Sequence, residues 1–94
     1  MTKFQNVLGN SAQVRILELF IEGEEEYYNP MRIVKATHTS TAKVYPILKK
    51  FYALGIITKK NDYHSYTLKK SNRFSKLLIK LFDIIIKEDL DGTV

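Results

Sequence analysis

From its N-terminus the chain falls into an apolar rhythm at Val14, Ile16, Leu17, Leu19, Phe20 and Ile21. These positions predict a helix that starts after Asn10 or Ser11, both good N-caps, and stops at Gly23. At about 100° per residue they cover well over half the helix circumference, more than the stripe a surface helix requires. Glu24–Glu26 and Tyr27-Tyr28 then predict a loop entering a short extended piece. Asn29-Pro30 is a helix start, with Asn as cap and Pro at the first helical position. The second helix is short, about Pro30 to Ala36, and turns Ile33 and Val34 inward.

Thr37-His38-Thr39 breaks the chain, and Ser40 or Thr41 caps the next helix. This third helix is predicted from about Thr41 to Leu54. Val44, Ile47, Leu48, Phe51 and Leu54 fall at amphipathic spacing, and Thr41, Lys43, Tyr45, Lys49, Lys50 and Tyr52 lie opposite. Pro46 sits inside this helix and removes one backbone donor. Gly55 ends it. Two β-rich runs, Ile56–Lys60 and Tyr63–Leu68, flank the turn residues Asn61-Asp62 and predict a hairpin. Ile57, Tyr66 and Leu68 face inward; Lys59, Lys60 and His64 sit toward the exposed tip.

Ser71 or Asn72 caps a last helix, Arg73 to about Glu88. Its apolar residues span roughly 220° of the wheel. One small domain cannot cover both sides of such a helix, and an exposed apolar patch marks an interface. Leu77, Leu78, Leu81, Phe82 and Ile85 are therefore the expected dimer face, with the first helix beside them.

Length and composition narrow the class. Ninety-four residues, 45% hydrophobic and 27% charged, fit one small globular domain spanning 1–94 with an α+β fold. Cysteine is absent, which excludes disulfides, thiolate metal sites and a cysteine nucleophile. Only His38 and His64 could serve as imidazole ligands. The acidic run Glu24–Glu26 reads as a solvated loop. No GxSxG, Walker or HExxH pattern is present, so the expectation is a non-enzyme without metal or cofactor. The most apolar stretch, Leu77–Ile86, contains Lys80 and Asp83 and is too short to span a bilayer. No signal peptide is visible, so the expected location is the cytoplasm (a host's, if the chain is viral). So small a chain leaves little room for an effector pocket, and no small-molecule effector is expected.

Charge divides the chain in three. Residues 1–31 carry net −3, residues 32–80 net +11 with Asp62 the single acid, and residues 81–94 net −3. A centre this basic is a candidate polyanion surface. It coincides with two helices joined by a tight turn, the second with a polar, basic outer face, and then a hairpin. That layout is a helix-turn-helix (about 30–54) with a wing (about 56–68) and a C-terminal dimerisation helix (about 73–88). The B-DNA major groove, about 12 Å wide, admits one such helix.

The residues also carry a family resemblance. The chain resembles small winged helix-turn-helix transcriptional regulators, especially those of archaea and of archaeal viruses and plasmids. Leu8-Gly9-Asn10-Ser11 with Val14-Arg15-Ile16-Leu17 looks like the family's opening. Lys43-Val44-Tyr45, Leu48 and Leu54-Gly55-Ile56-Ile57 look like its recognition helix running into the wing. The resemblance spans about residues 8–86. It departs at His38, where Gly is usual, so that this residue is a candidate for positive φ. Thr39 replaces an apolar residue, and Pro46 is unusual in a recognition helix. The resemblance implies DNA reading from Ser40, Thr41, Lys43 and Tyr45. Lys49 is added as a phosphate contact, and Lys59, Lys60 and His64 as wing contacts. A lysine here meets either guanine O6/N7 or phosphate. Tyr27, Tyr28, Tyr52, Tyr63 and Tyr66 read as half-buried packing instead of stacking platforms.

The functional expectation is a homodimeric, sequence-specific binder of double-stranded DNA on a pseudo-palindrome, repressing by occupancy. The alternatives are a winged helix used as a protein-interaction module, and an architectural or replication protein with weak sequence preference.

Overall fold

A computed structural model describes residues 1–60 and 64–91 of the backbone. The hairpin turn Asn61-Asp62 and Tyr63 lie outside the described residues. The elements are α1 (Lys3–Leu8), α2 (Ala12–Glu22), α3 (Pro30–Thr37), α4 (Thr41–Ala53), β1 (Ile57–Lys59), β2 (Tyr66–Leu68) and α5 (Arg73–Asp91). This is an α+β chain with an antiparallel two-stranded hairpin after its fourth helix, compatible with a winged helix. No helix among the described residues is long and apolar enough to cross a membrane.

Local chemistry sets most of the boundaries. Ser11 Oγ accepts from the Val14 amide at the start of α2, and Asn29 Oδ1 from the Arg32 amide at the start of α3. Pro30 occupies the first helical position. Gly55, at φ 77°, closes α4: its amide donates to Tyr52 O and the Ile56 amide to Phe51 O. Asn72 joins this end to α5. Its Oδ1 accepts from the Phe74 and Ser75 amides while its Nδ2 donates to Leu54 O. The positive φ favours Gly here, and a Cβ on Gly55 would meet that amide nitrogen at 2.6 Å and push the Asn72 side chain aside. Pro46 does not break α4, which runs unbroken from Thr41 to Ala53.

The hairpin pairs Ile57 with Leu68, Thr58 with Thr67 and Lys59 with Tyr66. Its strands are shorter than the β-rich runs. Ile57 and Leu68 are buried and Tyr66 half-buried, but Thr67 is buried too, so period-two alternation fails on β2. The expected extended piece before α3 is a single bridge, Tyr28 to Tyr66, with amide–carbonyl bonds of 2.8 and 2.9 Å. It docks the chain between α2 and α3 on the hairpin edge. Tyr28 meets Phe20 edge-to-face at 5.6 Å. The main core gathers Ile16, Phe20, Ile33, Val44, Leu48, Phe51, Ile57 and Leu68.

Helix α1 is absent from the apolar pattern. Thr2 caps it, and Phe4 is buried in a second core with Ile21 and Ile85, its ring 5.5 Å from Phe82. The helix covers faces of α2 and α5 that the pattern leaves open. The expected dimer face is corrected in consequence. Ile85 is only 7% exposed and belongs to this chain's own core; Leu78 and Phe82 are half-buried against it. The open stripe of α5 is instead Phe74, Leu77, Leu81 and Ile84, of which Leu77 and Leu81 were expected. The first helix of the apolar pattern, α2, likewise turns Ile16, Phe20 and Ile21 inward.

Candidate nucleic-acid interface

The turn between α3 and α4 is the centre of the site. His38 adopts the left-handed conformation (φ 53°, ψ 43°), and its amide donates to Val34 O. The Thr39 amide donates to the same carbonyl at 3.3 Å. His38 is thus a non-glycine residue at positive φ, the conformation for which the sequence made it a candidate. Thr39 is buried. Thr37 Oγ1 donates to Ile33 O at 2.7 Å and lies 2.9 Å from Thr39 Oγ1. A hydroxyl pair thus fills the buried turn with its polar atoms satisfied.

Arg15 of α2 ties this turn down. Its Nε donates to Thr37 O at 2.9 Å, one terminal nitrogen to Thr39 Oγ1 at 3.1 Å, and the other to Asn10 O. A planar guanidinium reaches three acceptors on two segments where an ammonium could not. In the sequence Arg15 carries only resemblance; nothing in a 3.6-residue period reports a contact to a turn 22 residues on.

Helix α4 buries Val44, Leu48 and Phe51 and leaves Thr41, Lys43, Tyr45 and Lys49 exposed. Ser40 holds the N-cap backbone conformation without a side-chain cap bond, so its hydroxyl is not consumed by the helix. At about 100° per residue the crest opposite the buried row carries Ala42, Pro46 and Ala53. Lys49 lies on one side of that crest and Lys50 and Lys43 on the other. Ala42 and Pro46 carry neither charge nor a hydrogen-bonding side chain, so a search by charge and polarity misses them. Both present small apolar surface of the kind that meets a thymine methyl. Thr41 and Tyr45 border a hollow of about 230 Å³ shared with Asn29, Pro30, Met31 and Val34. Lys50 is held back, donating to Gln13 Oε1 at 3.1 Å.

The hairpin lysines rest on tyrosine rings, and Lys59 stands close to α4. Lys59 Nζ lies 5.8 Å from the ring centres of both Tyr52 and Tyr66, joining the C-terminal half of α4 to β2. Lys60 Nζ is 5.0 Å from the Tyr27 ring. His64 is exposed. The tyrosines divide. Tyr28 is buried and Tyr66 half-buried, but Tyr27 and Tyr52 are exposed, against the expectation of half-buried packing. They act as ring faces that seat lysine ammonium groups.

The chain also has more room than its length suggested. Helices α1, α2 and α5 frame an open groove of about 780 Å³, where the length of the chain suggested little room for a pocket. Comparison with known protein families, curated proteins and solved structures finds no match to this chain.

Proposed function

We propose that this chain is a winged helix-turn-helix regulator that binds a specific double-stranded DNA site as a homodimer, repressing by occupancy. The observation that carries the reading is α4 itself. It exposes Ser40, Thr41, Lys43, Tyr45 and Lys49 on a helix held by a fixed turn, with Lys59 of the hairpin seated on a tyrosine of the same helix. Hydroxyl, phenol and ammonium groups on one protruding helix supply both base-edge and phosphate contacts. Small residues at the crest let that helix sit deep in a groove. Lys59, Lys60 and His64 serve the neighbouring backbone or minor groove. The dimer is formed by the open stripe of α5, Phe74, Leu77, Leu81 and Ile84. Its spacing of three, four and three residues is that of a two-helix seam.

The test is selection from a random duplex library and then anisotropy titration at two salt concentrations. A half-site repeated with two-fold symmetry, bound far above random duplex, supports the reading. Equal affinity for the selected and random duplexes rejects it.

A further inference from the structure

The hairpin holds one of its cations without neutralising it. Lys59 Nζ stands 5.8 Å from the ring centres of Tyr52 and of Tyr66, its cross-strand partner. One ring belongs to α4 and the other to β2. Among the described residues no carboxylate pairs with Lys59, whereas Lys70 is tied to Glu25 and Arg32 to Glu26. A carboxylate fixes an ammonium by cancelling its charge. An aromatic face fixes it through the ring quadrupole and leaves the charge for another anion. We infer that Tyr52 is a positioning residue: its ring, with that of Tyr66, holds the Lys59 ammonium as a preformed contact for a nucleic-acid phosphate. This rests on the duplex-DNA reading and assigns Tyr52 a part in it.

Helix phase places the seat. Tyr52 lies seven residues beyond Tyr45, two turns along the same side of α4, and three residues beyond Lys49. The ring therefore draws the hairpin ammonium to the side of α4 that carries Tyr45 and Lys49. A lysine stem rotates freely, and ordering it against an anion costs entropy. Two rings order it beforehand, which is the gain from preorganisation. Tyr52 is 51% exposed and belongs to neither core, so the core does not require its ring. Tyr66 is half-buried and bridged to Tyr28, so it serves the fold as well.

The experiment is a double-mutant cycle of Tyr52→Leu and Lys59→Gln on the whole chain, with Tyr52→Phe beside it. Both positions are exposed, so the substitutions leave the core intact. Without DNA, the Lys59 methylene protons next to Nζ should be shifted upfield by the rings in the parent and in Tyr52→Phe. In Tyr52→Leu they should move toward the solvent value. On the duplex selected from the library, anisotropy should show Tyr52→Leu weaker by about twofold to fivefold per subunit, the factor an exposed cation–ring contact supplies. Tyr52→Phe should match the parent. On the Lys59→Gln background, Tyr52→Leu should cost nothing further. A loss in Tyr52→Phe makes the hydroxyl a direct contact and overturns the proposal, as do additive losses in the cycle. Ring shifts absent from a chain that binds the selected duplex defeat this inference alone. Ring shifts present in a chain that prefers no duplex defeat the DNA reading, and the phosphate role of Lys59 with it.

Discussion

The Arg15 guanidinium and the Thr39 hydroxyl, 24 residues apart in the chain, are joined at 3.1 Å across the turn between α3 and α4. The same guanidinium holds Thr37 O. The start of the candidate recognition helix is thereby fixed from α2 and not by its own cap, since Ser40 makes no side-chain cap bond. Arg15→Lys keeps the charge and loses the fork. It is expected to cost about 1.5–3 kcal/mol, the range for hydrogen bonds to a charged group. A urea titration checks this: the midpoint should fall with an unchanged slope. If the DNA reading holds, affinity for the selected site falls too, because α4 loses its fixed pose.

His38 and Gly55 are both in the left-handed region, at φ 53° and 77°, but only one is glycine. His38→Gly relieves a side chain held where L-residues are disfavoured, against the entropy a glycine adds to the unfolded chain. Relief of about 1–2 kcal/mol less an entropy cost of about 0.4–1 kcal/mol leaves a net gain on the order of 0.5–1 kcal/mol. Gly55→Ala goes the other way, by at least about 1 kcal/mol, because its new Cβ also strikes Asn72. Thermal melts of the two variants should therefore move in opposite directions.

The pattern of the chain made α2 through α5 legible because each is a longer periodic run closed by capping chemistry at Ser11, Asn29, Gly55 or Asn72. Helix α1 was hidden for a physical reason. Six residues are too few to be stable alone, and Lys3–Leu8 exists by docking Phe4 on Phe82. The misplacement of Ile85 has the same origin. The wheel of α5 shows how wide its apolar arc is, but not which part another element covers. On the candidate site, charge and helix phase pointed to Lys43, Tyr45 and Lys49. They were blind to Ala42, a small side chain on the exposed crest of α4, and to Arg15, which holds the α3–α4 turn from α2.

Glu22 sets a pH dependence whose sign is fixed by its surroundings. Burial, then the Glu18 charge and hydrogen bond, raise its pKa above 4.5. The native state therefore holds this proton more tightly than the unfolded chain does. Stability falls as pH rises from about the unfolded value through the raised native one, then levels off. Glu22→Gln removes that fall. Above the window the variant should be more stable than the parent by about 0.2–0.5 kcal/mol, the size of a like-charge pair one turn apart. Below the window the two should coincide. Melting temperatures measured across the acid range decide it, and a variant less stable at neutral pH would contradict the assignment.

The open stripe of α5 makes the dimer testable against the buried residues beside it. Leu77 is 64% exposed, whereas Ile85 is 7% exposed. Leu77→Asp should leave a folded chain that sediments as a monomer. Ile85→Asp places a charge in the α1–α5 core and should unfold it, a loss of several kcal/mol. A parent that is already monomeric at micromolar concentration would remove the dimer from the proposal.

Phosphate and base contacts separate by their salt dependence. If each subunit neutralises about four phosphates, the dimer's log affinity should fall with log salt at a slope of roughly −7. Lys49 stands beside a crest of Ala42, Pro46 and Ala53, with no donor on that crest to compete for the backbone. Lys49→Ala removes one phosphate per subunit, so the slope should flatten by about 2 and all duplexes should weaken by a similar factor. Lys49→Arg should restore the slope. Thr41 and Tyr45 line the hollow beside α3 and carry no charge. Thr41→Val and Tyr45→Phe should leave the slope intact and change which sequences are preferred. Anisotropy titrations on the selected site and on random duplex, over a range of salt, distinguish the two patterns. An unchanged slope for Lys49→Ala takes that residue off the backbone, and a relaxed preference in its place would make it a base reader.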